Sequence, residues 1–470
     1  LLDAVKATAK MFKLTSEKKN WLILAILSIG YFFLSSVIPP LMSPDEPNHI
    51  ERAYLLEKGV VVLDRKEGNS SGGYIDTGLL DYLGYYNPFQ KKLQPEMIHK
   101  AEKINWSGNR VYAELPGTGY YFPAAYTPQA LGLMLGESIG LNIDHSYRLA
   151  RLFALMAIIL ILYLSFRLFS PNGIVLAILA LPMTIFQMAS ASLDGICIAI
   201  TVLAISAFMR ISKDKNATSD SIQYVLALSI AILVTSRPNT LPMLLLLGAS
   251  IFYIKNKKSI FLFILTTLFI GIWTLLSLKT TVDLRVTLGH SSSSIIYYYI
   301  THPFDFINVV GNTLSNEQNR SFYFKSFIGI LGWLDIPLSD KYYKIISILF
   351  SIIVLLSVSL KNINNTWKPR FLLFITSVAT LLLVFFAMLV TWTPHPAHQI
   401  LGVQGRYFLI PAILFGYAIS NNINFSNNIR TKEIQFLLLF FLLLLFILRC
   451  ISLLIVIFYV PAPLITGHFL

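Results

Sequence analysis

Runs of about 20 apolar residues recur along this chain from Trp21 almost to its end. That is the length an α-helix needs to cross a hydrocarbon core roughly 30 Å thick. Eleven such spans are read at 21–38, 147–169, 172–190, 193–210, 221–236, 238–254, 258–279, 342–360, 370–392, 402–420 and 434–460. The run 221–236 is short. The first span is too long for the core of a signal peptide and lacks a small-residue cleavage site, so it reads as a retained anchor. Residues 1–10, ahead of Met11, read as an upstream extension. The expected fold class is an all-α polytopic membrane protein with about 11 transmembrane helices.

Composition agrees. Of 470 residues, 55% are hydrophobic and only 13% are charged, against about 25% charged in a soluble domain. A soluble enzyme, a disordered chain and a nucleic-acid-binding module are excluded. The net charge of +13 comes from 37 dispersed Lys and Arg residues, the pattern of basic cytoplasmic loops. Cys197 and Cys450 lie far apart in apolar runs, which argues against a disulfide framework.

One segment, 121–140, either crosses the membrane or lies at its surface. If it crosses, Arg210, Lys213, Lys215, Lys255, Lys257 and Lys258 fall outside. If it does not, all six fall inside, with the N-terminal lysines and Lys361, Lys368, Arg370, Arg430 and Lys432. The positive-inside rule selects a re-entrant or interfacial helix, interrupted by Pro123 and Pro128. The layout follows: a cytoplasmic N-terminus (1–20), a first helix (21–38) and a large external loop (39–146). A bundle (147–279), a second external loop (280–341), a second bundle (342–460) and an external tail (461–470) complete it. The polar motifs then all face outward. Tyr297, Tyr298 and Tyr299, after Ser291–Ser294, read as an interfacial aromatic belt.

Directly after the first span comes Ser43-Pro44-Asp45-Glu46-Pro47-Asn48-His49, then Glu51-Arg52. One reading is a capping box, with Ser43 as N-cap and Glu46 reaching back. Pro47, which has no N–H, opposes that register. A helix starting at Pro47 instead leaves Asp45 and Glu46 on a stiff lead-in, with His49 and Arg52 on one face. A carboxylate at the lipid–water boundary can accept a proton from a hydroxyl or hold a divalent cation. Desolvation is expected to raise its pKa toward a useful general-base value, while His49 or Arg52 opposes that rise or binds an anion.

Several cations on the same side lack a positive-inside explanation: Arg148, Arg151, Arg237, Arg320, Lys325 and Arg406. Each needs an acid, an escape to the interface, or a phosphate. Arg148 and Arg151 also suit snorkelling, Arg237 also suits pairing with Asp194, and Arg406, after Gly405, suits anion binding. Asp194 alternatively caps the helix that follows it. Asp335 beside Trp333 suits either a loop or a sugar face and its hydroxyls. His395 and His398 lack zinc spacing. Arg449, inside the last span, has no functional reading.

Together these blocks, with Tyr126–Gly132, Ser190–Gly195, Leu331–Asp335 and Gly402–Tyr407, resemble a bacterial polytopic family similar to GT-C glycosyltransferases. The resemblance runs from about residue 21 to 420, and its size and layout resemble enzymes that glucosylate the O-antigen of lipopolysaccharide. It implies an inner-membrane hexosyltransferase with its active face in the periplasm. The donor would be a polyprenyl (undecaprenyl) phosphate sugar. The acceptor would be lipopolysaccharide or a lipid-linked oligosaccharide. Asp45 would be the base, and Glu46 an orienting group or metal ligand. Arg52, Arg148, Arg151, Arg237, Arg320, Lys325 and Arg406 are the donor-phosphate candidates. His49, Asp194, Trp333, Asp335, Gln404 and Tyr407 are the sugar or acceptor candidates. The acidic pair departs from Asp-x-Asp, and a requirement for Mg2+ or Mn2+ at Asp45 and Glu46 stays open. A polysaccharide polymerase would place its main loops mid-chain. A lipid-linked sugar flippase would need little external loop, and a transporter would want charges near the bilayer midplane.

Overall fold

A computed structural model describes residues 16–86, 95–214, 220–358, 363–420 and 429–459. The expected tail 461–470 and the lysines before residue 16 lie outside these. The chain opens with α1 (Ser16–Val37), which leads into α2 (Glu46–Glu57). The rest of the first loop folds as β1 (Gly72–Asp76), α3 (Thr77–Tyr85), α4 (Pro95–Ala101), β2 (Arg110–Glu114) and α5 (Pro116–Gly119). A 3-10 turn (Pro123–Tyr126) and α6 (Thr127–Ser138) close it.

The bundle continues with α7 (Ile143–Leu168), α8 (Gly173–Leu179), α9 (Pro182–Met188), α10 (Leu193–Lys213) and α11 (Asp220–Ser236). A 3-10 turn (Pro238–Met243), α12 (Leu244–Ile254) and α13 (Lys257–Thr280) follow. The second loop holds α14 (Ser292–Thr301), α15 (Pro303–Ser315), α16 (Glu317–Ile328), β3 (Ile330–Leu331) and β4 (Ile336–Pro337). The last helices are α17 (Asp340–Ser357), α18 (Ile363–Thr391), α19 (Leu409–Ile419) behind a 3-10 turn (Gly405–Phe408), and α20 (Ile429–Phe458).

Among the described residues six helices are long and apolar enough to cross a membrane: α1, α7, α10, α13, α18 and α20. The protein is therefore a multi-pass, mostly helical membrane protein that sits in a lipid bilayer. Several of the other expected spans are shorter or broken. The run 172–190 is split by Pro182 into α8 and α9, and those at 238–254 and 402–420 each begin as 3-10 turns. The all-α expectation also missed two small antiparallel sheets, β1–β2 and β3–β4.

The segment 121–140 becomes the 3-10 turn and α6. At 1.5 Å per residue, 12 helical residues reach about 18 Å, too short to cross. α6 lies against the first turns of α7 because glycines face that helix. A Cβ on Gly132 would sit 2.4 Å from Ala150 Cα, and one on Gly136 would sit 2.7 Å from Ser146 Cα.

The two large loops are tied together. Ser71 N–H donates to Val282 C=O at 2.8 Å, Val282 N–H donates to Ser71 Oγ at 2.9 Å, and Leu284 N–H donates to Ser70 Oγ at 3.2 Å. At the far ends of the same bundle Arg210 pairs with Asp214, and Lys258 with Asp220. Of the three tyrosines read as a belt, Tyr297 and Tyr298 are exposed while Tyr299 is buried. Cys197 and Cys450 are buried free thiols.

Gly132→Leu should force α6 off α7 and cost about 1–3 kcal/mol, the usual range for overpacking. Gly271→Leu is the control, because none of the described residues outside its own helix backbone and chain neighbours lies within 4 Å of its would-be Cβ. Thermal unfolding in detergent should show a lower midpoint for the first and little change for the second. Equal midpoints would contradict the packing described.

Candidate functional site

The acidic pair separates as the chain turns into α2. Asp45 takes a left-handed conformation, with φ 62° and ψ 4°, so its side chain and that of Glu46 diverge. Helix α2 starts at Glu46 and not at Pro47, with Asp45 as an N-cap that makes no side-chain cap bond.

Glu46 turns inward and is fully buried. Its Oε1 accepts from Tyr147 Oη at 2.7 Å, Ala191 N–H at 2.8 Å and Arg151 Nη2 at 3.3 Å. Its Oε2 accepts from Ser43 N–H at 3.0 Å, so Glu46 reaches back to Ser43 as the capping reading expects, but the helix N-cap is Asp45 and not Ser43. Arg151 also donates to the carbonyls of Ser35, Ile38 and Pro39. This cluster joins α1, α2, α7 and the turn that precedes Asp194.

Asp45 faces the other way. Its side chain is 51% exposed, and it lines a cavity of about 510 Å³. Arg406 Nη2 donates to Asp45 Oδ2 at 2.5 Å, and Arg406 Nη1 to Asp194 Oδ2 at 3.1 Å. Asp194 Oδ1 accepts from Arg237. The result is an alternating row, Asp45–Arg406–Asp194–Arg237, neutral as a whole. Gln404 Oε1 accepts from Arg406 Nε at 2.6 Å, and Tyr407 lies under the guanidinium. Asp194 is thus an ion-pair partner in the first turn of α10, behind the N-cap Ser192. All six of these residues were sequence candidates, and all six line the cavity.

Burial alone would lift the Asp45 carboxyl, but the Arg406 guanidinium, with Arg237 beyond it, outweighs burial and holds the pKa below its usual value. The expected upward shift is therefore reversed. His49 forms part of the cavity wall and is 2% exposed. Its Nδ1 lies 2.9 Å from Tyr126 Oη, and its Nε2 has no hydrogen-bond partner among the described residues. Burial pushes its pKa down to about 4, against the opposing charge of Asp45.

Other candidates lie elsewhere. Arg52 is buried and donates to the carbonyls of Val60 and Val61. Arg148 pairs with Asp144, and Arg151 serves Glu46, so neither snorkels free of partners. Arg320 donates to the carbonyls of Leu314 and Ser315 at the end of α15. Lys325 pairs with Asp340 at the surface. Trp333 Nε1 donates to Leu41 C=O, and Asp335 is exposed in the β3–β4 turn. Arg449 stacks on Tyr342. None of these lines the cavity.

The acids also do not suit a shared Mg2+ or Mn2+. Both Glu46 oxygens are taken by protein donors on the side away from Asp45. Among the described residues no group of three or more His, Cys, Asp or Glu side chains could hold a metal ion.

Sequence reading missed Tyr121, Trp273, Asp283, Arg285 and Trp392, all in the cavity wall. The available signal was an Asp and an Arg two residues apart, just beyond the span 258–279.

A family model described as "Predicted membrane protein (DUF2142)" matches residues 27–416, and the chain belongs to that family. Comparison with curated proteins and with solved structures finds no match.

Glu46→Ala leaves Arg151 buried and unpaired, which should cost about 3–5 kcal/mol, whereas Asp45→Asn should unfold close to wild type. Thermal unfolding of the two variants checks this, and similar midpoints would contradict it. His49 adds a pH dependence. Its pKa falls from 6.5 to about 4 on burial, so protonation favours the unfolded chain. Its stabilisation is present above pH 6.5 and is lost as pH falls toward 4. Between pH 7 and 4 the midpoint should fall less steeply in His49→Gln than in wild type; identical slopes would contradict the assignment.

Proposed function

We propose that this protein is a GT-C-like membrane hexosyltransferase. It moves a hexose, glucose foremost, from polyprenyl (undecaprenyl) phosphate to lipopolysaccharide O-antigen or another lipid-linked glycan. The reaction runs by inverting displacement at the periplasmic face of the bacterial inner membrane. The observation that carries this reading is the cavity. It joins an accessible carboxylate, Asp45, and the guanidinium groups of Arg237, Arg285 and Arg406 to an apolar wall that includes Leu278, Leu383, Val384 and Ala387. A lipid-linked, phosphorylated sugar has the three matching parts: tail, anion and polar head. The basic ends Arg210, Lys213 and Lys258 lie at the opposite end of the helices, which supports an outward site by the positive-inside rule.

In this mechanism Asp45 is ionised before the reaction. An acceptor hydroxyl attacks the anomeric carbon and passes its proton to Asp45. The bond from that carbon to the phosphate oxygen breaks, and its electron pair leaves with polyprenyl phosphate. Guanidinium donors in the cavity wall stabilise the charge that develops on the departing phosphate. Arg406 keeps Asp45 ionised and fixes its carboxylate at the cavity. His49 Nε2, unpaired in the wall, is suited to a hydroxyl of the sugar or acceptor.

Asp45→Asn, produced at wild-type level in cells that make the acceptor, should abolish addition of one hexose to surface glycan, read by mass spectrometry. Full hexose addition by that variant would refute the proposal.

A further inference from the structure

The arginines chosen from sequence are poorly placed to meet a phosphate. Arg406 is 3% exposed and already donates to Gln404, Pro44 C=O, Asp194 and Asp45. A guanidinium has five N–H donors, so one remains. Arg237 is held by Asp194 and Tyr121 and is itself mostly buried.

Arg285 is different. It lines the same cavity, and its side chain is 38% exposed. Its Nε and Nη2 donate to the two oxygens of Asp283, at 2.9 and 2.6 Å. The other three N–H donors have no protein acceptor among the described residues.

The fold holds this group still. Asp283 Oδ1 also accepts from the Arg285 N–H at 3.0 Å, closing a local turn. The residues on either side of Asp283 are hydrogen-bonded to Ser70 and Ser71 of the first loop. Farther along, His395 N–H donates to Leu288 C=O. The guanidinium stacks over Trp392, 5.3 Å from the ring centre. Across from it, a Cβ on Gly117 would lie 3.1 Å from Arg285 Nη2, so glycine leaves that approach free of a side chain. An exposed arginine that is pre-oriented by a carboxylate and a tryptophan, with spare donors, is built for a bidentate oxyanion.

We propose that Arg285, oriented by Asp283 and Trp392, is the phosphate-binding residue of the cavity. The Arg406–Arg237 row is then the structural frame around Asp45. The ligand is a phosphate group, carried on an apolar chain that lies along Leu278 and Ala387. The assignment rests on the transferase reading for its place in the reaction, but phosphate binding is measurable without it.

The test uses the full chain in detergent. Affinities of a short-chain isoprenyl phosphate, the matching isoprenol and inorganic phosphate are measured for wild type, Arg285→Gln and Arg285→Lys. Isoprenyl phosphate should bind about tenfold or more weakly to Arg285→Gln, the scale of a lost charge-assisted hydrogen bond. Arg285→Lys, which keeps the charge and loses the fork, should fall between. Isoprenol should bind all three alike. Isoprenyl phosphate binding above inorganic phosphate identifies a lipid headgroup as the source. Equal binding of the two, both lost in Arg285→Gln, identifies free phosphate and still supports the site. Unchanged affinity in Arg285→Gln, with wild-type thermal stability, overturns the proposal. If Arg285 governs phosphate binding while Asp45→Asn still adds hexose, the transferase mechanism fails and the phosphate site stands.

Discussion

Arg406 lies between Asp45 and Asp194, and the site depends on that contact. Charges this close to a hydrocarbon core are tolerated only when each is met by an opposite charge or a hydrogen bond. Asp45 and Arg406 are far apart in sequence, as are Asp194 and Arg237, yet the four close into one neutral row. The row fixes the start of the first loop, the start of α10, the link after α11 and the turn before α19 relative to one another. Such a frame needs no ligand to be electrically complete. A bound anion therefore requires donors beyond those the row already uses, which is the role of Arg285.

Glu46 acts in parallel at the back of the site. It satisfies Arg151, Tyr147 and two backbone N–H groups from separate segments. Two neighbouring acids thus do unlike work. One is consumed in holding the turn that presents Asp194; the other is left open to the cavity. The cause is local: the left-handed backbone at Asp45 turns one carboxylate out as the next turns in.

Much of this was legible in the sequence. Apolar length located the six helices long enough to cross a membrane, and the cost of an unpaired arginine in lipid singled out Arg237 and Arg406 together with Asp194. The same logic also selected Arg148, Arg151 and Arg320, whose partners proved to be a nearby acid, a buried acid and backbone carbonyls. Sequence spacing signals that a charge needs a partner without revealing which one it finds. Trp333 with Asp335 looked like a sugar face, but neither lines the cavity, where the tryptophans are Trp273 and Trp392 and the carboxylates Asp45, Asp194 and Asp283. Only tertiary pairing of the two loops through Ser70 and Ser71 brings Asp283 and Arg285 to the rim. The breaks at Pro182 and at the 3-10 turns were hidden because hydropathy averages over them.

A double-mutant cycle on Asp194→Asn and Arg406→Gln, followed by thermal unfolding, reads the coupling inside the charged row directly. Residues in one ion-pair network couple by about 0.5–3 kcal/mol, so the double variant should be more stable than the sum of the single losses implies. Strictly additive losses would mean that Arg406 and Asp194 do not hold each other, and that the row does not frame Asp45.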